Sequence, residues 1–565
     1  MFVVKRFKWL LSLLFIFTFT VVAEAEPSAG NVEKVEWNLM LVGGSMNTCS
    51  SISAGRCSDE SWIDSATMRT ITYADFREEN IQRILAESNW SGSSETRQKT
   101  AEMLNAAKRR FSDNSTTMSD FSAFFRELYP NLWRDITTPQ WYLIRDHLQA
   151  SEAQDAPEVS RPDLSKQPEG ADLFLTFANR ARQLAEAENQ EPLVLVVTAS
   201  GRDSFDAVDF YLETFRVQGV SAEWLPIDAA FGHAVAANEC DALPEYRGQY
   251  QQSFARERVY PWLAEIQKRA CENPESLLDL VERAHGVFIN GGDQSLTRQA
   301  FFKPDGSPTN WLNSIRARVF SGQMIAGGTS AGTAVMSGNP MITNGSSDAG
   351  LREGAFAMTQ PPAADCARFD SCKPAVSADS LTYNREGGLD LFPFGILDTH
   401  FSERGRQGRL LALQIATEAP FAVGVDETTA LLVNTYSGDF RVQGAHGVFV
   451  QAHPDRTDTG LLARFSYLRN GTSGKFSKED GIVEIAFNTQ AQGDSGASGS
   501  SQFLRDRSIT SALQACAPES EPAHYFQEYN GISVLLAFDQ FTRTANEKDG
   551  CEVVNGIIHF AVEDD

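Results

Sequence analysis

A serine between small residues is the first candidate for chemistry in this chain. The stretch "IAGGTSAGTAVMSG" (325–338) contains the pattern G-x-S-x-G around Ser330, after an apolar run and before a segment that can start a helix. In a nucleophile elbow, a sharp strand-to-helix turn excludes large neighbours and exposes the serine at the edge of the sheet. The helix start would direct backbone N–H groups at a developing oxyanion. A phosphate-binding glycine turn or a plain tight turn is compatible with the same pattern.

A nucleophilic serine needs a base, and the base needs an acid that orients it. Among eight histidines, His400 ends the apolar run "LFPFGILDTH". We therefore expect His400 at the carboxyl end of a strand, where active sites collect in open α/β sheets. Asp398, Asp426 and Glu427 are the candidates for the acid.

After this histidine, one stretch of six residues contains three arginines, Arg404, Arg406 and Arg409, in a chain with a formal net charge of −25. Guanidinium groups bind carboxylates through paired hydrogen bonds, so the patch predicts a site for an anionic part of a substrate. A solvated loop with ordinary surface ion pairs is the alternative.

The elements around these residues alternate between strands and helices. Apolar strands are predicted at 37–45, 191–200, 284–292, 322–328 and 420–434, with helical patterns between them. This order predicts an α/β fold with a mainly parallel sheet flanked by helices. The α/β domain would cover 26–435 and contain a helical insertion at about 65–190. Residues 436–565 predict a β-rich C-terminal segment without a sharp boundary.

The N-terminus has the features of a signal peptide over residues 1–25. Lys5, Arg6 and Lys8 precede the apolar run "WLLSLLFIFTFTVV", and Ala23-Glu24-Ala25 forms an A-x-A cleavage site. We expect export to the periplasm or the outside, with no membrane attachment after cleavage. A single membrane anchor is the alternative, for which the apolar run is short.

Cysteine usage and charge narrow the class of protein further. All eight cysteines follow the signal peptide, and an even number in an exported chain predicts disulfides. Neighbours in sequence suggest the pairs Cys49–Cys57, Cys240–Cys271, Cys366–Cys372 and Cys516–Cys551. No zinc-type spacing is found, so we expect no metal. The acidic chain argues against binding nucleic acid or an anionic membrane.

Four segments together carry a resemblance to a known family. "FINGGDQSLTR", "IAGGTSAGTAVMSG", "DTHFSERGRQGRL" and "VGVDETTALLV" occur in this order. They resemble cyanophycinase, a serine peptidase related to aspartyl dipeptidase, over roughly 36–60 and 190–435. The resemblance implies a three-layer core like that of glutamine amidotransferases, with a nucleophile elbow and no cofactor.

The resemblance also implies roles for individual residues. Ser330, His400 and Glu427 would form the catalytic triad. Gly292 and Ala331 would supply the N–H groups of the oxyanion hole. The remaining residues that the resemblance singles out would bind substrate, and they are Gln294, Asp398, Arg404, Arg406 and Arg409.

The implied substrate is cyanophycin, a poly-aspartate with arginine on each side chain, which the family cuts to β-aspartyl-arginine dipeptides. This chain has Thr399 where the family carries Gln, which removes one long amide from the expected pocket. Two alternatives therefore stay open. One is a related peptidase for aspartyl dipeptides or other isopeptide-rich substrates, and the other is an inactive polymer-binding protein. A homodimer is also left open.

Overall fold

The computed structural model describes residues 36–46, 48–63, 71–86, 88–111, 116–151, 158–478, 481–488, 502–513, 525–547 and 550–563. These residues all belong to one contact unit, Glu36–Asp565. The predicted signal peptide and Cys516 lie outside the described residues.

The strands within these ranges are β1 (Leu39–Val42), β2 (Leu193–Val197), β3 (Ser221–Trp224), β4 (Gly286–Ile289), β5 (Ile325–Thr329), β6 (Met341–Asn344), β7 (Ala355–Ala357), β8 (Leu381–Asn384), β9 (Ile396–Thr399), β10 (Phe421–Val425), β11 (Thr429–Val433), β12 (Asp439–Gly444), β13 (Gly447–Thr457), β14 (Gly460–Arg469), β15 (Ser473–Ser477), β16 (Gly481–Ala486), β17 (Tyr525–Tyr529), β18 (Ile532–Ala537), β19 (Arg543–Glu547) and β20 (Gly550–Val562).

The α-helices of the same ranges are α1 (Glu78–Leu85), α2 (Ser94–Arg110), α3 (Met118–Leu128), α4 (Pro130–Asp135), α5 (Thr138–Leu148), α6 (Pro168–Glu188), α7 (Val208–Val217), α8 (Ala229–Ala237), α9 (Leu243–Tyr250), α10 (Arg256–Val259), α11 (Pro261–Glu272), α12 (Ser276–Arg283), α13 (Gln294–Phe301), α14 (Asn310–Phe320), α15 (Ala331–Ala334), α16 (Ser347–Glu353), α17 (Gln407–Thr417) and α18 (Ser508–Ala512).

The first sheet has nine strands in the order β16-β15-β12-β11-β1-β5-β4-β2-β3. The five strands from β1 to β3 are parallel to one another, as crossover connections through helices require. The four from β11 to β16 are antiparallel. The prediction of a mainly parallel sheet is therefore correct for the centre. The single strand predicted at 420–434 is wrong, because the chain forms two strands there, β10 and β11, which belong to different sheets. The antiparallel extension that begins with β11 was missed for this reason.

Helices cover both faces of the parallel centre. Leu39 and Leu41 of β1 belong to one apolar cluster with α8, α12 and α14, whereas Met40 and Val42 belong to another with α6 and α7. Alternate side chains of a strand point to opposite faces, so this central strand is apolar along its whole length. The result is a mixed α/β fold whose central strands are buried on both sides.

The second sheet carries most of the C-terminal strands. Its order is β17-β18-β20-β14-β13-β10-β9, and β19 pairs with β20. Only β9 and β10 are parallel within this described sheet. The chain passes from this sheet into the first one between β10 and β11, through residues 426–428. A small third sheet has the order β6-β8-β7.

The helices predicted as one insertion divide into two groups. Helices α1 to α5, which we call the helical cluster, share an aromatic core that includes Phe121 and Phe125. Capping boxes at Thr117 and Thr137 start α3 and α5. In contrast, α6 packs on the first sheet through Phe174 and Phe177.

A buried carboxylate fastens the helical cluster to the α/β core. Asp146 of α5 accepts hydrogen bonds from Arg202 at 2.8 and 2.9 Å and from the Phe254 backbone N–H at 3.0 Å. Burial opposes ionisation of Asp146, but Arg256 and Arg202 outweigh it and hold its pKa below the ordinary value. Asp146 is therefore ionised in its ion pairs with Arg202 and Arg256.

Three of the predicted disulfides are confirmed, and they are Cys49–Cys57, Cys240–Cys271 and Cys366–Cys372. Each joins residues that are close in sequence, so each stabilises one local loop. The fourth predicted pair includes Cys516, which lies outside the described residues. In the part of the chain that is described, no helix has the length and apolarity to cross a membrane.

Replacing Asp146 should release α5 from the core. Asp146→Ala leaves Arg202 and Arg256 without their shared anion, and breaking a buried ion pair costs about 3–5 kcal/mol. We expect faster hydrogen exchange of the α5 amides. The matched control is Asp163→Ala, which removes an exposed partner of Arg161 and should leave the exchange rates of α5 unchanged. Equal exchange in both variants would contradict the anchoring role of Asp146.

Candidate active site

Ser330 occupies the turn between β5 and α15. Its backbone has φ 55° and ψ −116°, a conformation that residues other than glycine rarely adopt. The neighbouring glycines are needed because a Cβ on Gly328 would lie 2.5 Å from the Gly332 backbone. A Cβ on Gly332 would lie 2.2 Å from the carbonyl oxygen of Ile289. The small residues around Ser330 are thus explained by the close approach of β4, β5 and α15.

The structure brings Ser330, His400 and Glu427 together in one hydrogen-bonded chain. The Ser330 Oγ lies 2.7 Å from the His400 Nε2, and the His400 Nδ1 lies 2.6 Å from the Glu427 Oε1. A carboxylate only accepts, so Nδ1 carries the proton and Nε2 accepts from the serine hydroxyl. This tautomer lets the imidazole take the serine proton.

The charges of this chain of residues suit that direction of proton transfer. Burial lowers the pKa of His400 below its ordinary value, although the hydrogen bond to Glu427 acts in the opposite direction. The hydrogen bond from His400 lowers the pKa of Glu427 to about 2. At neutral pH the imidazole is therefore neutral and the carboxylate ionised.

The turn after β1, Gly43–Gly44, holds the three segments in place. The carbonyl of Val42 accepts from the Ser330 N–H at 3.0 Å, and that of Gly43 accepts from the His400 N–H at 2.7 Å. The Gly44 carbonyl accepts from the Thr428 N–H at 2.8 Å, one residue beyond Glu427. The strand predicted at 37–45 ends in these two glycines, whose role at the site was not predicted. The signal was a glycine pair after a buried strand.

The two residues predicted to form the oxyanion hole lie on either side of this region. Gly291 and Gly292 lie in a turn beside Ser330. A Cβ on Gly291 would lie 3.2 Å from the Ser330 Cβ. Gly292 has φ +148°, and a Cβ there would lie 2.0 Å from the Ser200 carbonyl oxygen. Ala331 is the first residue of α15, so its N–H has no acceptor within the helix.

Gln294 begins α13, directly after the Gly291–Gly292 turn. Its side-chain amide donates to the Ile342 carbonyl at 2.7 Å. In this structure that amide therefore links α13 to β6.

Asp398 and two of the predicted substrate-binding arginines form a buried ion cluster. Arg409 donates to Asp398 through Nε at 2.8 Å and Nη2 at 2.5 Å, and the Arg406 Nη1 donates at 3.2 Å. Burial favours protonation of Asp398, but Arg409 and Arg406 hold its pKa below the ordinary value. Burial and the neighbouring Arg409 lower the pKa of Arg406 to about 9. Both guanidinium groups are thus paired with the carboxylate of Asp398.

Arg404 differs from the other two arginines because its side chain is exposed. Its charge acts on both His400 and Glu427, which places it beside the triad. Thr399, between Asp398 and His400, is buried. Asp426, the alternative acid, instead accepts from the Ser402 N–H and the Tyr467 hydroxyl, each at 2.9 Å. The acid that reaches His400 is Glu427.

Among the described residues, no group of three or more His, Cys, Asp and Glu side chains is arranged to hold a metal ion. The arrangement as a whole has a serine hydroxyl, a neutral imidazole that accepts its proton, and an ionised carboxylate behind the imidazole. These are the parts of a nucleophilic serine site.

Known proteins resemble part of this chain. No protein-family model matches it. A curated cyanophycinase from Synechococcus elongatus is 30% identical over 182 residues, which is 32% of this chain and 46% of that protein. A cyanophycinase from Trichormus variabilis is 30% identical over 193 residues, 34% of this chain and 53% of that protein. The chain thus spans about half the length of the curated relatives that it matches.

A solved structure, a peptidase from an acI-B1 Actinobacterium, covers 55% of this chain and 92% of its own. Its sequence identity is 18% and its TM-score 0.30.

A side chain at Gly44 should displace the imidazole. A Cβ there would lie 2.3 Å from the His400 Cε1, and Gly44 has φ +126°. We expect Gly44→Ala to slow the labelling of Ser330 by a serine-directed fluorophosphonate by about 100-fold, the effect of misplacing a reacting group by about 1 Å. Gly322→Ala is the matched control, since Gly322 has φ +76° and open space around its Cβ. If both variants were labelled equally fast, the contact with His400 would not matter.

Proposed function

We propose that this chain is an exported serine-type peptidase that degrades cyanophycin to β-aspartyl-arginine dipeptides. The observation that carries the proposal is the hydrogen-bonded chain from the Ser330 Oγ through the His400 imidazole to the Glu427 carboxylate. The similarity to the curated cyanophycinases supports a peptidase enzyme. The strand-to-helix turn at Ser330 supports the nucleophile elbow.

The mechanism follows from the direction of the hydrogen bonds. Ser330 attacks the aspartyl carbonyl carbon while the His400 Nε2 takes the hydroxyl proton, and Glu427 stabilises the imidazolium that forms. The N–H groups of Gly292 and Ala331 would hold the oxyanion, each worth a few kcal/mol in the transition state. His400 then protonates the leaving amine. Water hydrolyses the acyl-enzyme with His400 as the base again.

The substrate proposal draws on charge as well as on similarity. Arg404 is the exposed cation beside the triad, so we assign it to a substrate carboxylate. Asp398, Arg406 and Arg409 would support the substrate site through their ion cluster, since Asp398 already pairs with both guanidinium groups. The net charge of −25 favours a substrate that carries many guanidinium groups.

A second candidate is a peptidase for aspartyl dipeptides or other isopeptide-rich substrates. Two observations favour it. Thr399 is shorter than the glutamine of the family and is buried, and the amide of Gln294 already donates to the Ile342 carbonyl. Both amides expected in a cyanophycin pocket are thus missing or engaged. An inactive binding protein is the weaker alternative, because the triad geometry is complete.

Export is proposed from the predicted signal peptide at 1–25. The disulfides Cys49–Cys57, Cys240–Cys271 and Cys366–Cys372 are compatible with an oxidising compartment.

Digestion of purified cyanophycin tests the substrate and the nucleophile together. We expect the mature protein to release β-aspartyl-arginine, detected by mass spectrometry, and Ser330→Ala to lose about 10⁶-fold in rate because no nucleophile remains. Ser321→Ala, at the exposed residue that follows α14, is the matched control. Labelling of Ser330 without release of dipeptide would overturn the substrate and keep the peptidase. Full activity of Ser330→Ala would overturn the nucleophile.

The pH profile tests the pairing of His400 with Glu427. The imidazole must be neutral to accept a proton, and burial lowers its pKa from 6.5, so kcat/KM should fall with acid only below pH 6.5. Glu427→Gln removes the group that raises the pKa of His400, so the acidic limb should move to still lower pH. The variant should also lose about 10³–10⁴-fold in kcat through the wrong tautomer. An acidic limb that moved upward in this variant would refute the pairing.

A further inference from the structure

A single arginine from the C-terminal part of the chain reaches the acid side of the triad. Arg507 precedes α18, in the described range 502–513. Its guanidinium forms ion pairs with Glu403 and, at 3.4 Å, with Asp426. It also donates to the Tyr467 hydroxyl at 3.3 Å. These four residues, Arg507, Glu403, Asp426 and Tyr467, are called the Arg507 cluster below.

The two carboxylates of the Arg507 cluster belong to the segments that carry the triad. Glu403 lies three residues after His400, and Asp426 directly precedes Glu427. Asp426 accepts from the Ser402 N–H at 2.9 Å, so it joins the loop after His400 to the loop before Glu427. Glu403 faces the backbone N–H of Glu427. Asp426 therefore ties the two loops together directly, and Arg507 bridges them through Glu403 and Asp426.

The cation is needed because both carboxylates are removed from water. The side chain of Asp426 is 0% exposed and that of Glu403 17%. Burial and the charge of Asp426 raise the pKa of Glu403, and the charge of Arg507 opposes that shift. Burial alone would lower the pKa of Arg507, but Asp426, Tyr467 and Glu403 raise it above the ordinary value. Without the guanidinium, the two buried acids would have no cation between them, so one would take up a proton and both loops would lose their ionic link to residue 507.

We propose that Arg507 is a positioning residue, which holds the His400 and Glu427 loops in register through Glu403 and Asp426. The proposal rests on the proposed function in that His400 and Glu427 form a catalytic pair. It assigns to the segment 502–513 a role in the reaction, which Arg507 would exert through its contacts with Glu403, Asp426 and Tyr467.

Kinetics of three variants test the proposal. Arg507→Met should lower kcat by up to about 100-fold with little change in KM, because it displaces reacting groups and leaves the substrate contacts alone. Arg507→Lys should restore part of kcat, since an ammonium supplies the charge without the two-pronged geometry. The matched control is Arg464→Met on β14, which breaks the ion pair with Asp539. The side chains of Arg464 and Arg507 are exposed to a similar degree. The kcat of this control should stay at the wild-type value.

A proton spectrum gives a readout that needs no substrate. The His400 Nδ1–H in its short hydrogen bond to Glu427 should give a downfield resonance, assigned by its loss in His400→Gln. We expect this resonance to disappear or broaden in Arg507→Met and to persist in Arg464→Met. If cyanophycin is not cleaved by the wild type, the proposed substrate fails, while the resonance and the rate of fluorophosphonate labelling still test the role of Arg507.

Folding is measured in parallel by circular dichroism. If Arg507→Met does not fold, Tyr467→Phe replaces it, because that variant removes one hydrogen bond to Asp426 without a change of charge. It should lower kcat several-fold and shift the resonance. A folded Arg507→Met, or a folded Tyr467→Phe in its place, with wild-type kcat, labelling rate and resonance would overturn the proposal.

Discussion

The candidate site depends on three backbone carbonyls at the end of β1. Those of Val42, Gly43 and Gly44 accept from the N–H groups of Ser330, His400 and Thr428. A short glycine turn is required because the backbone of residue 426 and the imidazole of His400 pass within a bond length or two of where a Cβ would stand. These hydrogen bonds join strand ends from both large sheets at one point.

The residues of the candidate site come from strand ends of both large sheets, which meet at this junction. Ser330 follows a strand of the first sheet, whereas His400 follows a strand of the second. Glu427 lies in the three-residue passage from the second sheet into the first. The proposed triad is thus a contact between sheets, and the packing of each sheet decides the distances within it. The Arg507 cluster stabilises the second sheet's side of this contact, whereas the β1 turn stabilises the side of the first.

Local patterns in the sequence predicted the features that depend on near neighbours. The glycines around Ser330 predicted a tight turn, and the apolar run before His400 predicted the end of a strand. Cysteines close in sequence predicted three disulfides. Features that depend on distant partners were missed. The arginines at 406 and 409 gave no sign that Asp398 would occupy both, and Arg507 lies 81 residues from Asp426. Composition also did not separate α6 from the helical cluster, because all these helices are amphipathic or apolar on one side.

The pairing of β1 with β11 has a consequence for how such a protein comes into being. Leu39 lies opposite Val433, so the strand that organises the site receives one of its two neighbours only after almost four hundred further residues have been made. A nascent chain that ends after β9 already contains Ser330 and His400 but lacks Glu427 and the closing strand. Under the proposed function, the site therefore stays incomplete until β10, the loop at Glu427 and β11 have been made. Long-range pairing of this kind forms slowly, which lengthens the time before Glu427 can reach His400.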